Sequence, residues 1–179
     1  KSEMEVWRAF EEGLPVIVVN PAVILGYCPW TEGSGKMFDR AYSGMKYFTN
    51  GYTGWIDVKD VAAAMVYLMQ KDINGERYIL SSENKGFKWI FETMAERFEK
   101  PKAKKEANLG LAKWLVMAEK WKSKITGKPP LITSETIRNG TLQCNYVNDK
   151  IKKELNFEFK PVEVTIEETA KLFLKEHGL

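Results

Sequence analysis

Four groups of residues in this chain have the types and spacing to do chemistry. Glu32-Gly33-Ser34-Gly35-Lys36 invites a phosphate-loop reading, in which backbone amides cradle a phosphate and the lysine offsets its charge. The GxxxxGK spacing fails, because its first glycine falls on Trp30 and Met37 follows the lysine, so a Walker loop is rejected. A Gly-Ser-Gly loop whose amides meet an anion stays open. Asp57 and Asp60 stand where a strand ends and a helix starts, and capping by Asp60 outweighs an acid–base role there. The lone histidine, His177, lies in a Lys-Glu-His-Gly tail and reads as a frayed helix end. The fourth group is Asn20 to Ile24, at the exit of the β-branched run Val16, Ile17, Val18 and Val19.

That run reads as a strand buried on both faces, which belongs to a parallel sheet. Ligands of open α/β sheets gather beyond the carboxyl ends of the strands, so residues 20–24 are where a bound molecule would lie. Pro21 cannot donate to a ladder and biases Asn20 toward an extended conformation that turns the chain out of the sheet. An ordinary strand exit, with nothing bound, reads equally well from spacing alone. No GxSxG, no HExxH and no metal-spaced cluster is present.

These groups must be positioned by an α/β framework. Residues 3–12 form a helix with Met4, Trp7 and Phe10 near one face, ending at Gly13 and feeding the strand. Residues 26–35 form a loop carrying Tyr27, Cys28 and Trp30, and residues 36–42 a short helix. Residues 46–49 and 54–57 read as short extended pieces around Asn50-Gly51. A helix follows from Asp60 to about Gln70, with Val61, Ala62, Met65, Val66 and Met69 as its apolar stripe. Residues 77–80 read as a strand and 87–98 as an amphipathic helix. Beyond Lys100 the composition turns basic, then rich in Leu, Trp and Met, with Leu111, Trp114, Leu115, Ala118 and Trp121 at helical spacing. Core packing is the first reading of that segment, with a dimer surface or an apolar ligand lining also open. Residues 148–155 and 165–175 read as the last helices, the latter capped by Thr165 with Glu168 at the capping-box position.

The 179 residues suit one domain or one and a fraction. Twenty-seven basic against 24 acidic residues is too even a balance for a nucleic-acid partner, and the lysine-rich segments read as solvated faces. Cys28 and Cys144, far apart, fit reduced thiols in a cytoplasmic protein. No apolar run is long enough for a membrane span and no signal peptide opens the chain, which starts inside a helix.

The series Glu3, Glu5, Val6, Trp7, Arg8, Ala9, then EGLPVIVVNPAVILG, then GWIDVKDVAAAMVYLM and finally GERYILSSEN resembles the later half of the extended short-chain dehydrogenase/reductase family. Within it the chain looks most like the NAD-dependent epimerase/dehydratase and dihydroflavonol-reductase-like members. The resemblance implies an α/β fold: the C-terminal part of a Rossmann-like doubly wound sheet plus a smaller, mainly helical substrate domain. Residues 1–72 would finish the NAD(P)-binding domain, with substrate-domain segments interleaved, and 73–179 would form the substrate domain. It implies hydride transfer with NAD or NADP on a small carbonyl or hydroxyl compound. The family's Tyr-x-x-x-Lys pair and its glycine-rich turn would fall before Lys1, so no catalytic residue is assigned here and Lys1 is not the catalytic lysine.

By matched position, Pro21, Ala22, Val23 and Ile24 would face the nicotinamide, Asn20 would meet substrate, and Ser34 would lie near the cofactor phosphate. Thr53 stands where sugar-nucleotide epimerases of the family carry an arginine for the substrate diphosphate. A less charged substrate is therefore expected, one that Tyr27, Trp30 and Trp114 would suit. No metal, nucleic acid or membrane partner is expected, and pairing into a homodimer is an open expectation. The competing reading is a non-catalytic module of the same family that binds a ligand or pairs subunits.

Overall fold

Crowding at Cβ disfavours helix and favours extended backbone in the run of valines and isoleucine, and a computed structural model, which describes residues 2–107, 121 and 140–179, places strand β1 there (Ile17–Pro21). Helix α1 (Ser2–Glu11) precedes it and stops at Gly13, whose φ of 97° is followed by a Leu14 N–H bonded back to the Ala9 carbonyl at 3.0 Å. β1 pairs in parallel with β5 (Glu76–Leu80), so the two strands point their carboxyl ends the same way.

Residues 20–24 do not turn out of the sheet as expected; they change sheets. Pro21 has no N–H to give, Ala22 donates to the Leu80 carbonyl at 2.8 Å, and the chain then runs on as β2 (Val23–Leu25). β2 pairs in parallel with β4 (Tyr52–Asp57), which pairs antiparallel with β6 (Glu83–Gly86) on its other side. β1 is half-buried rather than covered on both faces, and β5 is its one strand partner among the described residues. A two-stranded parallel ribbon of β3 (Tyr47–Phe48) and β7 (Lys105–Glu106) stands apart.

β4 is the wall between two apolar cores, because adjacent side chains of a strand face opposite ways. Trp55 faces a core with Leu25, Phe38, Ile90, Met94 and Phe173, while Ile56 faces one with Val61, Leu68, Tyr78, Leu80 and Ile151. The first is closed by α2 (Gly35–Ser43), α4 (Phe87–Arg97) and the C-terminal α6 (Val162–Glu176). The second lies under α3 (Val58–Met69) and α5 (Asp149–Leu155).

Three expectations are corrected. α3 starts two residues before Asp60, and Asp57 caps it by accepting the Lys59 N–H at 2.7 Å. Its buried residues are Val61, Ala64 and Leu68, so Met65, Val66 and Met69 of the expected stripe are exposed. α6 starts at Val162, which puts Thr165 inside the helix and frees its hydroxyl for another partner.

Candidate functional site

The carboxyl ends of β1 and β5 lie side by side, with Asn20 opposite Ile79 and Pro21 opposite Leu80. Two polar atoms are buried there without a hydrogen-bond partner among the described residues, Asn20 Oδ1 and Ser81 Oγ. Buried polar groups are nearly always paired, so each such atom calls for an explanation. The neighbouring space is closely fitted: a Cβ added to Gly54 would lie 2.6 Å from Ser81 Oγ, 2.8 Å from the Tyr146 ring and 2.9 Å from Ala22 Cβ. Tyr146 is held by a reciprocal pair with Asn84, its N–H donating to Oδ1 at 2.9 Å and its carbonyl accepting from Nδ2 at 2.8 Å. The Asn148 amide donates to the Ser81 carbonyl. Segment 146–148 is thereby fastened to the strand ends.

Of the residues singled out by sequence, Pro21 is exposed, Ala22 buried, Val23 half-buried and Ile24 at the border of exposure. Tyr27 and Trp30 meet edge to face at 5.5 Å in the loop after Gly26. Trp30 is tied to α6, because its indole N–H donates to Glu176 at 2.8 Å and its ring packs 4.9 Å from Phe173. The Glu176 carboxylate beside Tyr27 pushes that phenol's pKa up. His177 continues the cluster by stacking on Phe173 at 4.1 Å. Ser34 precedes α2 without a side-chain cap bond and lies 3.7 Å from Cys28 Sγ, which accepts the Gly35 N–H at 3.0 Å. Trp114 lies outside the described residues.

A polar knot joins the end of β4 to α6. Asp57, 3% exposed, accepts from Lys160 Nζ and from Thr165 Oγ1, each at 3.0 Å. Lys160 Nζ also donates to Glu168 at 2.9 Å, and its backbone N–H donates to Asp60 at 2.6 Å. The Glu168 hydrogen bond leads in raising the Lys160 pKa, and the same bond lowers that of Glu168. Both groups are held charged, which suits them to fastening rather than proton transfer. Burial pushes the Asp60 carboxyl up. No group of His, Cys, Asp and Glu among the described residues could hold a metal ion.

Sequence reasoning missed Ser81, Gly54, Tyr146 and Lys160. Ser81-Ser82 directly after a strand was the one available signal, since the partners of the other three are distant in sequence.

Parallel strands that end together beside helices on both faces define a Rossmann-like α/β architecture. Nearly all of the chain superposes on about half of several solved structures: gox2253 (TM-score 0.74, 24% identity, 98% of this chain and 54% of that one), a nucleoside-diphosphate-sugar epimerase from Pseudomonas aeruginosa (0.72, 18%, 98% and 53%) and the dTDP-glucose 4,6-dehydratase of Bacillus anthracis in complex with NAD (0.67, 18%, 98% and 50%). The fold is the one that this epimerase and this dehydratase have. In sequence the chain is similar to sterol demethylase protein B of Methylococcus capsulatus, 34% identical over 87 residues, which is 46% of this chain and 26% of the relative. The chain thus spans about half the length of the solved structures and about a quarter of that relative. No family model matches it.

Proposed function

We propose that this chain forms part of an NAD(P)-dependent oxidoreductase or epimerase/dehydratase acting on a weakly charged carbonyl or hydroxyl compound. The observation that carries the reading is the pair of unpartnered buried atoms, Asn20 Oδ1 and Ser81 Oγ, at the joint carboxyl ends of two parallel strands. The nicotinamide, when bound, supplies or takes up the hydride. Pro21 and Ile24 are exposed apolar groups fit to meet the face of its ring, and Val23 holds the strand between them. Asn20 Oδ1 accepts a hydrogen bond from substrate, and Tyr27 and Trp30 form an apolar side of the site. Ser34 takes the cofactor-phosphate side, and none of these residues is given the acid–base role.

A weakly charged substrate is favoured by what surrounds Thr53. Lys85 is its partner across β4 and β6, but that ammonium is engaged by Glu83 at 3.2 Å and lies over the Trp89 ring at 4.8 Å. Among the described residues, the lysine opposite Thr53 is therefore not free for a diphosphate. The name of the 34% identical relative points to a sterol rather than a sugar nucleotide, in keeping with this.

The test offers the full gene product that contains this chain a sterol alcohol or UDP-glucose with NAD or NADP, following net oxidation by the absorbance of reduced nicotinamide and redox-neutral turnover by chromatography of the products. The expected result is turnover of the sterol alcohol, with Asn20→Ala raising KM and Val23→Asp weakening nucleotide use. Turnover of UDP-glucose alone overturns the substrate class, and absence of nucleotide binding overturns the whole reading. The 179-residue chain by itself is expected to bind NAD more weakly than micromolar, since its sequence has no glycine-rich turn to grip the pyrophosphate.

A further inference from the structure

Away from the strand ends, the short ribbon of β3 and β7 gathers positive charge at its amino-terminal side. Lys46 leads into β3, Lys102 and Lys104 lead into β7, and Lys105 opens it; the Lys105 N–H donates to the Lys46 carbonyl at 3.3 Å, which sets the two strand starts side by side. Between them is an open cavity of about 260 Å³. Its floor is apolar, from Met45, Pro101 and Tyr47, the last 39% exposed.

The acidic groups near this patch leave most of its charge uncompensated. Glu96 is taken by Lys102 at 2.5 Å, a lysine on which Glu92 also acts, Glu106 accepts from Asn50, and Glu99 stands at the turn after α4. Lys46, Lys104 and Lys105 have no ion-pair partner among the described residues. Lys88 and Lys100 flank the ribbon, each over an aromatic ring, Phe48 at 4.6 Å and Tyr42 at 4.6 Å. The sequence of residues 108–139 is basic as well, with Lys113, Lys120, Lys122, Lys124, Lys128 and Arg138 against Glu119 and Glu135, whereas the whole chain is only +3.

We propose that this face docks on an anionic phospholipid surface. Lysines around an exposed apolar centre match both layers of such a surface, the ammonium groups meeting headgroup phosphates while Tyr47, Met45 and the lysine stems enter the interface. Tyrosine prefers that depth. No described helix is long and apolar enough to cross a membrane; the attachment proposed is the peripheral, reversible kind that a basic patch around an apolar centre gives. Soluble polyanions share the charge but have no use for the apolar floor. A face that is merely solvated has no preference for lipid at all.

Vesicle co-sedimentation of the chain tests this, with phosphatidylcholine vesicles, the same vesicles containing phosphatidylserine, and heparin as a soluble polyanion. Binding is expected to the phosphatidylserine vesicles only, weakening as salt rises. The triple variant Lys46→Glu, Lys104→Glu, Lys105→Glu should lower the partition at least about 30-fold, from the attraction each cation adds near such a surface. Lys59→Glu with Lys171→Glu, at two exposed lysines elsewhere, should leave it unchanged. Tyr47→Ser should weaken binding to vesicles and leave any binding to heparin as it was. Equal binding to neutral vesicles, no binding to either, indifference to the triple variant, or heparin displacing the chain with Tyr47→Ser without effect would each overturn the proposal.

Discussion

Lys160 Nζ stands 3.0 Å from the carboxylate of Asp57, a residue 103 positions earlier that is almost wholly buried. The pair fastens the last helix to the end of β4, opposite Leu25, where β2 ends and the Tyr27–Trp30 loop begins. Asp57 also caps α3, so its loss breaks three hydrogen bonds and leaves an ammonium half-stranded. Asp57→Ala should therefore cost about 3 to 5 kcal/mol. Lys160→Met should cost less, about 1 to 2 kcal/mol, because the carboxylate keeps Thr165 and the Lys59 N–H and the ammonium is partly solvated. Urea unfolding of the two variants compares them directly; equal costs would mean that the ion pair dominates and the cap contributes nothing.

The same knot sets the acid and alkaline limbs of stability. Glu168, lowered below its ordinary value, contributes stability above about pH 4.5 that is lost as pH falls through its folded-state pKa. Lys160, raised above 10.5, contributes stability at lower pH that is lost as pH rises through its folded value. Asp60 runs the other way in acid: raised by burial, it binds a proton more readily in the fold and so offsets part of the acid loss. Thermal melts from pH 3 to 7 should show Glu168→Gln flattening the acid limb and Asp60→Asn steepening it. A common slope for both variants and the parent would refute this assignment.

What could be read from sequence was what neighbours in the chain decide. α1 and α4 have clean periodicity, and Gly13 supplies a stop that only a positive φ satisfies, so their ends fell where expected. β1 was legible from its β-branched run, but its passage into a second sheet was not, because Pro21 signals a lost donor without saying which carbonyl Ala22 will meet. α3 is apolar around most of its girth, so nothing local could tell whether Ala64 and Leu68 or Met65 and Val66 would face the core. β6, Glu-Asn-Lys-Gly, has no strand propensity and exists because β4 offers it an edge. At the candidate site Asn20 was legible as a strand exit. Ser81, Gly54 and Tyr146 converge only through tertiary packing.

Trp30 joins its loop to α6 through a charge-assisted hydrogen bond and a cage of rings. Trp30→Phe keeps the packing and loses the bond to Glu176, which should cost about 1 to 2 kcal/mol. Trp30→Ala removes the packing too and should cost about 3 kcal/mol, the low end for such truncations because the ring is only partly buried. Glu176→Gln keeps an oxygen that accepts the indole N–H and loses only the charge, so it should lower the melting temperature less than the phenylalanine variant. If the alanine variant melts with the parent, the ring holds nothing and faces only a ligand.

The exposed apolar side of α3 has the clearest consequence for the chain in solution. Met65 is 46% exposed, Val66 55% and Met69 82%, with Val58 one turn and more before them on the same side. Residues at 58, 62, 65, 66 and 69 recur at helical spacing, so they form one stripe rather than scattered contacts. The opposite side of the helix already packs on Ile56 and Leu80 and is not available to cover it. A stripe of this kind, together with the edge of β1 that no strand among the described residues pairs, favours association of the isolated chain. Sedimentation velocity should show self-association that grows with concentration. Val66→Lys with Met69→Lys should abolish it, and because both side chains are exposed the melting temperature at low concentration should move little. If instead the parent chain sediments as a monomer at every concentration, the stripe is tolerated by water. If the double variant loses its cooperative melt, these residues are packed within one molecule and the exposed face belongs to another part of the helix.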